Sequence, residues 1–275
     1  MKTPCVACVG GGNMAASLLT GLKDKGFARK QLRVSEPSPA RRKILDVMGV
    51  STFSSNAEAV NHADVVIIAV KPQVVQSVLE GLHGSISPST LVISIAAGIP
   101  LAALSSWLGG EHRIIRCMPN TPALKGVGIS GLYTNSILNE NETSLANSVL
   151  GAVGKTVWLD EESQLDAVTA ISGSGPAYFF YLTECLIETA RELGLSESTS
   201  KLLATETAYG AAVMLRDSEL NADTLRQNVT SPGGTTEAAL EHLVDTRFSE
   251  TFKQAIHAAS ARSVELGESI FRHKN

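Results

Sequence analysis

Short apolar, β-branched runs alternate with stretches of helical periodicity from residue 5 to residue 159. The runs at 5–9, 32–35, 64–70, 90–95, 113–117 and 156–159 read as strands. Residues 14–25, between the first two, read as a helix. The run at 65–70 has no period-two polarity, which predicts a strand buried on both faces. Strands alternating with helices predict an α/β fold, a Rossmann-type doubly wound parallel sheet.

After Asp160 the pattern changes. Tyr178, Tyr181, Leu182, Cys185, Leu186, Thr189 and Leu193 recur at helical spacing. So do Phe252, Ile256, Ala259, Ser263, Leu266 and Ile270. Ala208, Gly210, Ala211 and Ala212 put small residues on a helix, which permits close helix approach. No strand signal, internal repeat or low-complexity segment follows. The pattern predicts two domains, 1–160 with the sheet and 161–275 all helical. The length of 275 residues agrees, at ~150 residues per domain.

Composition adds exclusions. Hydrophobic residues make up 44% of the chain, enough for a globular core, and the net charge is -4. Without a basic excess, neither a nucleic-acid nor an anionic-membrane partner is expected. The balance is nevertheless uneven: 14 basic and 10 acidic residues lie in 1–160, and 9 and 17 in the rest. No apolar run approaches the ~18 residues of a membrane span. Met1-Lys2 and the small apolar residues after it imitate a signal peptide, but Gly10, Gly11 and Gly12 interrupt it. A soluble, cytoplasmic protein is expected. Cys5-x-x-Cys8 lacks a second ligand pair, so Cys5, Cys8, Cys117 and Cys185 read as ordinary free cysteines.

The chemistry begins at Val9-Gly10-Gly11-Gly12-Asn13-Met14-Ala15, which fits G-x-G-x-x-G/A. Gly10 makes the tight turn, Gly12 lets backbone approach a pyrophosphate, and Ala15 packs helix on strand. The helix N-terminus then offers N–H groups to the phosphates. Cofactor choice stays open on the residue types. Glu36, 21 residues after Ala15, could hold a ribose 2′-OH and so favours NAD. Arg41, Arg42 and Lys43 could neutralise a 2′-phosphate and favour NADP, or could be a solvated helix face. Ser35 and Ser38 could donate to either cofactor.

Ligands of a doubly wound sheet bind beyond the carboxyl ends of its strands. There lie Val70-Lys71-Pro72, Ala96-Ala97-Gly98 and Met118-Pro119-Asn120-Thr121-Pro122, whose small residues and prolines suit a flat ring. Lys71 could be catalytic, cofactor-contacting or simply exposed; no acid or base adjoins it. In the helical part, Ser172-Gly173-Ser174-Gly175-Pro176-Ala177-Tyr178 opens a long helix, and Thr230-Ser231-Pro232-Gly233-Gly234-Thr235-Thr236 precedes a helix near Glu237. Such helix starts cap themselves, and they also suit a carboxylate ligand. The histidines at 62, 83, 112, 242, 257 and 273 have no metal-ligand spacing, so no metal is expected. There is neither a nucleophile elbow nor a P-loop. A neutral, hydroxyl-lined site fits hydride delivery to an already electrophilic carbon such as an iminium.

Taken in order, these motifs, with Ser94-Ile95-Ala96-Ala97-Gly98 and Arg116-Cys117-Met118-Pro119-Asn120-Thr121-Pro122, resemble pyrroline-5-carboxylate reductase, in particular its bacterial members. The resemblance runs over essentially the whole chain. It implies NAD(P)H-dependent reduction of 1-pyrroline-5-carboxylate to L-proline, the last step of proline biosynthesis. It implies NADPH as the preferred cofactor, with NADH possible. Gly10, Gly12, Asn13, Met14, Ser35, Asn56, Ala69, Val70, Lys71, Ala97 and Asn228 would bind the cofactor. Ser231, Gly234, Thr235 and Thr236 would grip the substrate carboxylate through backbone N–H groups. The Thr236 hydroxyl would bond the ring nitrogen as the catalytic group, with Glu162 and Glu219 nearby. The resemblance also implies a homodimer built through the helical domains, and further assembly as decamers. Glu36 sits at a position that varies in the family.

Two other readings are weighed. A β-hydroxyacid dehydrogenase-like oxidoreductase shares the two-domain plan but needs a lysine on the interdomain helix, and residues 172–195 contain none. A non-catalytic dinucleotide-binding protein would have no use for the 231–236 loop.

Overall fold

The computed structural model describes residues 4–272, with side chains through 269; Met1, Lys2, His273 and the Ile270 side chain lie outside the described residues. Eight strands form one sheet: β1 Val6–Val9, β2 Leu32–Ser35, β3 Ser51–Phe53, β4 Val65–Ile68, β5 Leu91–Ser94, β6 Arg113–Met118, β7 Gly128–Tyr133 and β8 Gly154–Trp158. Their order is β3-β2-β1-β4-β5-β6-β7-β8. The chain therefore winds outward from β1 to β3, returns to place β4 on the other side of β1, and continues. The crevice between β1 and β4 is the topological switch point, where such folds bind ligands.

Crossing helices cover the sheet: α1 Asn13–Asp24, α2 Pro39–Val47, α3 Asn56–Val60, α4 Pro72–Glu80, α5 Leu101–Leu108 and α6 Glu140–Leu150. Successive strand residues point to opposite faces, and both faces are filled. Val6, Cys8, Leu32, Ile67, Ile93 and Ile115 enter one core with Leu18, Leu19 and Leu22 of α1. Ala7, Val9, Val66, Ile68, Val92 and Ile114 enter the other with Val75 and Leu79 of α4. This two-sided burial is why β4 shows no alternation. Burial pushes the Cys8 and Cys117 thiols up to about 12, so both pack as neutral small hydrophobes.

The sheet departs from the pattern-based expectation at two strands. β3 is a three-residue, half-buried edge strand, too short to carry a period. β7 runs antiparallel to β6, and β8 pairs parallel with β7. Glycines hid β7. A Cβ on Gly128 would meet Ala123 at 2.9 Å, and one on Gly131 would meet Val168 Cγ1 at 2.8 Å. Close packing thus required the residues that dilute a strand signal.

Among the described residues only helices follow β8: α7 Gln164–Val168, α8 Gly175–Glu192, α9 Glu197–Asp217, α10 Ala222–Asn228, α11 Thr235–Asp245 and α12 Phe248–Arg272, with a π-type turn at Thr169–Gly173. The compact units part at Gly173/Ser174, later than the strand-to-helix change at 160, and residues 259–272 group with the first unit. The contacts explain this. Val168 of α7 lies on Gly131 of β7, the buried Ser263 hydroxyl donates to Asp166 Oδ1 at 2.6 Å, and Gly267 faces Gly98 backbone. A Cβ on Gly267 would come within 3.0 Å of Gly98 O.

Candidate active site

The glycine loop follows β1 at the switch point. Gly10 has φ +99, and a Cβ there would lie 2.7 Å from Ala69 O and 2.8 Å from Val70 Cγ1. Only glycine allows this turn beside the end of β4. Gly10 N–H donates to Ser35 O at 2.9 Å and Ala69 N–H to Val9 O at 2.8 Å, so β1, β2 and β4 are tied together here. Gly12 differs: a Cβ there meets nothing within 4 Å. The space above Gly12 is thus a cradle that a side chain would fill. It adjoins the N-terminus of α1, whose first intrahelical bond runs from Ala16 N–H to Gly12 O. The N–H groups of Asn13, Met14 and Ala15 therefore project from the helix end, as a pyrophosphate requires. The residues fit a dinucleotide.

The structure brings Gly10, Gly12, Asn13, Met14, Ala69, Val70 and Lys71 to this crevice, with Lys71 exposed as the N-cap of α4. Ala97 is exposed in the loop after β5, and Asn56 is half-buried at the start of α3. Ser35 is different. It is 1% exposed, and its Oγ is buried without a partner, so it lies beneath the loop and supports Gly10 through its carbonyl. Ser38 caps α2, accepting from Arg41 N–H at 3.3 Å. Glu36, Arg41 and Arg42 all bond the loop or their own turn. Gly11 and Ser38 N–H each donate to the Glu36 carboxylate at 3.0 Å. Arg41 Nε donates to Gly11 O at 2.7 Å and Arg42 Nη1 to Glu36 O at 2.5 Å.

Two further motifs meet in the same unit. Asn120, 9% exposed, donates from Nδ2 to Ser172 O at 3.1 Å and accepts from Ile129 N–H at 3.0 Å. A Cβ on Gly173 would strike Met118 Cε at 2.7 Å. The Met118–Pro122 motif and Ser172-Gly173 are therefore one structural feature. Their wide separation along the chain gave no sign of it. Glu162 is committed as well: its Oε1 accepts from Leu101 N–H at 2.7 Å and from Arg116 Nη1 at 2.7 Å. In this unit it caps α5 and pairs a half-buried arginine.

The second unit holds the other predicted group. Thr230 Oγ1 donates to Arg226 O at 2.7 Å, and Gly233, with φ +71, turns the chain toward α11. Gly234 is the N-cap, so α11 starts at Thr235, two residues before the sequence expectation. Not every N–H of the loop is available. Gly234 N–H donates to Ser231 O at 2.9 Å, and Gly233 N–H donates to Glu237 Oε2 at 2.6 Å. The first intrahelical bond comes from Ala238, which leaves Thr235, Thr236 and Glu237 N–H at the open end. Asn228 is exposed at the end of α10, and Glu219 is exposed in the turn before it.

A model of pyrroline-5-carboxylate reductase dimerisation matches residues 162–266, and a model of NADP oxidoreductase, coenzyme F420-dependent, matches 5–98. The pyrroline-5-carboxylate reductase of Pseudomonas aeruginosa is 48% identical over 98% of this chain and 99% of its own. The chain belongs to the pyrroline-5-carboxylate reductase family. The member from Haemophilus influenzae is 39% identical over 98% of this chain and 100% of its own. A solved family member from Coxiella burnetii superposes with a TM-score of 0.91 at 39% identity, covering 96% of this chain and 99% of that one. That of Plasmodium falciparum, solved with NADP bound, gives 0.86 at 32%, covering 97% and 99%. A 3-hydroxyisobutyrate dehydrogenase from Mycobacterium tuberculosis, at 18% identity and 0.52, shares the fold alone.

As a family member the chain is an NAD(P)-dependent oxidoreductase and a homo-oligomer. The helical unit shows why it needs a partner. Gly175, Ser200 and Ala204 are the buried residues of α8–α11 among those described, while Phe179, Phe180, Tyr181 and Tyr209 are each more than 60% exposed. Helices without a core of their own must bury these faces elsewhere. Among the described residues no helix is long and apolar enough to cross a membrane, and no cluster could hold a metal ion.

Proposed function

We propose that the chain reduces 1-pyrroline-5-carboxylate to L-proline in the cytoplasm, with NADPH preferred and NADH accepted. The observation that carries this reading is the presence in one chain of the open Gly12 cradle and the open start of α11 at Thr235-Thr236. Residues 1–160 bind the dinucleotide, and 161–275 bind substrate and dimerise, with decamers as the larger assembly. Family membership over nearly the whole length supports these assignments.

When bound, the reduced nicotinamide supplies the hydride. Asn13 and Met14 N–H would hold the phosphates at the positive end of α1, and Gly10, Ser35, Asn56, Ala69, Val70, Lys71 and Ala97 would shape or line the groove. At α11, Thr235 and Thr236 N–H receive the substrate carboxylate, and Ser231 and Gly234 set the loop that aims them. The Thr236 hydroxyl bonds the ring nitrogen and holds it as the imine carbon is reduced. Glu219 favours a protonated ring nitrogen electrostatically, and Glu162 acts through Arg116 and α5. Orientation and hydrogen bonding suffice because an iminium carbon is already electrophilic.

Mixing the protein with 1-pyrroline-5-carboxylate and either cofactor tests the reading, with nicotinamide absorbance and L-proline as readouts. Absence of cofactor oxidation with both would refute it. Thr236→Ala should depress kcat while cofactor affinity persists; unchanged turnover removes Thr236 from the mechanism.

A further inference from the structure

Helix α11 starts with half of a capping box. In the full box the N-cap side chain accepts from the N–H of the third helical residue, and an acid at that third position reaches back to the N-cap N–H. Here the N-cap is Gly234, which has no side chain, and its N–H already donates to Ser231 O at 2.9 Å. The third residue is Glu237. Its carboxylate passes over Gly234 and accepts from Gly233 N–H at 2.6 Å through Oε2. Among the described residues no other side chain bonds the backbone of residues 231–234. Ser231, Pro232 and Gly233 are exposed, and Gly233 turns at φ +71 in open space, whereas Glu237 is half-buried.

We infer that Glu237 is a positioning residue for the substrate carboxylate, fixing the 231–234 turn through Gly233 while sparing the N–H groups that open α11. A serine or aspartate N-cap would consume a helical N–H of the first turn. Glycine leaves it to a ligand, and the bond that steadies the loop is made before the cap instead of at it. A turn fixed before the ligand arrives loses less freedom on binding, which raises affinity. The Glu237 carboxylate also carries a negative charge beside a site for an anion, and like charges repel. Bond and charge therefore act in opposite directions, and substitutions separate them.

Glu237 has this role only if the start of α11 takes the substrate carboxylate, the reading proposed above. Steady-state kinetics test the two separately. Glu237→Gln keeps an oxygen acceptor and removes the charge, so KM for 1-pyrroline-5-carboxylate should stay level or fall. Glu237→Asp keeps the charge but is one methylene short of Gly233, and Glu237→Ala loses both bond and charge. Each of these two should raise that KM by about tenfold, the scale of one lost hydrogen bond to a charged group. KM for NADPH should not move in any of the three. A residue that served only as a negative charge at the helix start would give the inverse order, with aspartate silent and glutamine raising KM. That order, an equal rise in all three, no rise with aspartate and alanine, or a parallel rise in KM for NADPH overturns the inference while the site reading stands. The site reading is tested on the unsubstituted protein with 1-pyrroline, which lacks the carboxylate. If kcat/KM for 1-pyrroline-5-carboxylate is no higher than for 1-pyrroline, that reading fails and takes the inference with it. Should Glu237→Ala not fold, Glu237→Asp, which keeps an acid at the helix start, decides in its place.

Discussion

Alanine at Gly12 and alanine at Gly10 should have opposite consequences, although the two glycines are neighbours in one motif. Gly12 has φ -64 and an empty surround. Alanine fits there, and the N-cap tolerates it at a cost within about 0.5 kcal/mol, offset by a stiffer unfolded chain. Its methyl group occupies the space a pyrophosphate needs, so NADPH affinity should fall by at least about tenfold, or 1.4 kcal/mol. Gly10 has φ +99, and its Cβ would lie 2.7 Å from Ala69 O, a backbone atom of the neighbouring strand. Left-handed backbone costs about 1–2 kcal/mol, and strand displacement adds to it, for a total of about 2–4 kcal/mol. Urea unfolding measures the first quantity and NADPH fluorescence titration the second. Equal destabilisation by the two substitutions would refute the geometric distinction. Native NADPH affinity in Gly12→Ala would show that the cradle is not the phosphate site.

Asn120→Ala should cost about 2–3 kcal/mol in urea unfolding, because a nearly buried carboxamide leaves Ser172 O and Ile129 N–H unpaired; a loss below about 1 kcal/mol would contradict that bridge. Stability should fall as pH rises above 9.0, the ordinary value for both Cys8 and Cys117, whose folded values lie near 12. The unfolded thiols release protons first, so the contribution is fully present below pH 9.0 and declines toward 12, by about 1.4 kcal/mol per thiol at pH 10. Cys8→Ala should flatten that decline in chemical-denaturation curves, and an unchanged slope would count against it. Phe180→Glu places a charge on an apolar face, 68% exposed in the single chain. Light scattering should then show smaller assemblies, and an unaltered mass would remove this face from the interface.

The alternation of apolar runs was sufficient for β1, β2, β4, β5 and β6, because strands with two covered faces are built from near-continuous hydrophobic runs. Gly10, Gly12 and Ala15 were legible for a related reason: a backbone that must approach a ligand tolerates few residue types. Where close packing demanded glycine inside a strand, as at Gly128 and Gly131, the strand signal vanished and β7 was missed.

Residue order along the chain determined the existence of two helix N-termini suited to anions, and helical periodicity determined the segments that cover the sheet. Which polar groups remain available was decided only in three dimensions. Gly233 N–H was taken by Glu237, Glu162 by Arg116 and α5, and Ser35 was buried beneath the glycine loop. Asn120 and Ser172, 52 residues apart, became one feature only through tertiary contact. Periodicity and local turn chemistry are properties of neighbouring residues. A hydrogen-bond partner distant in sequence is chosen by packing.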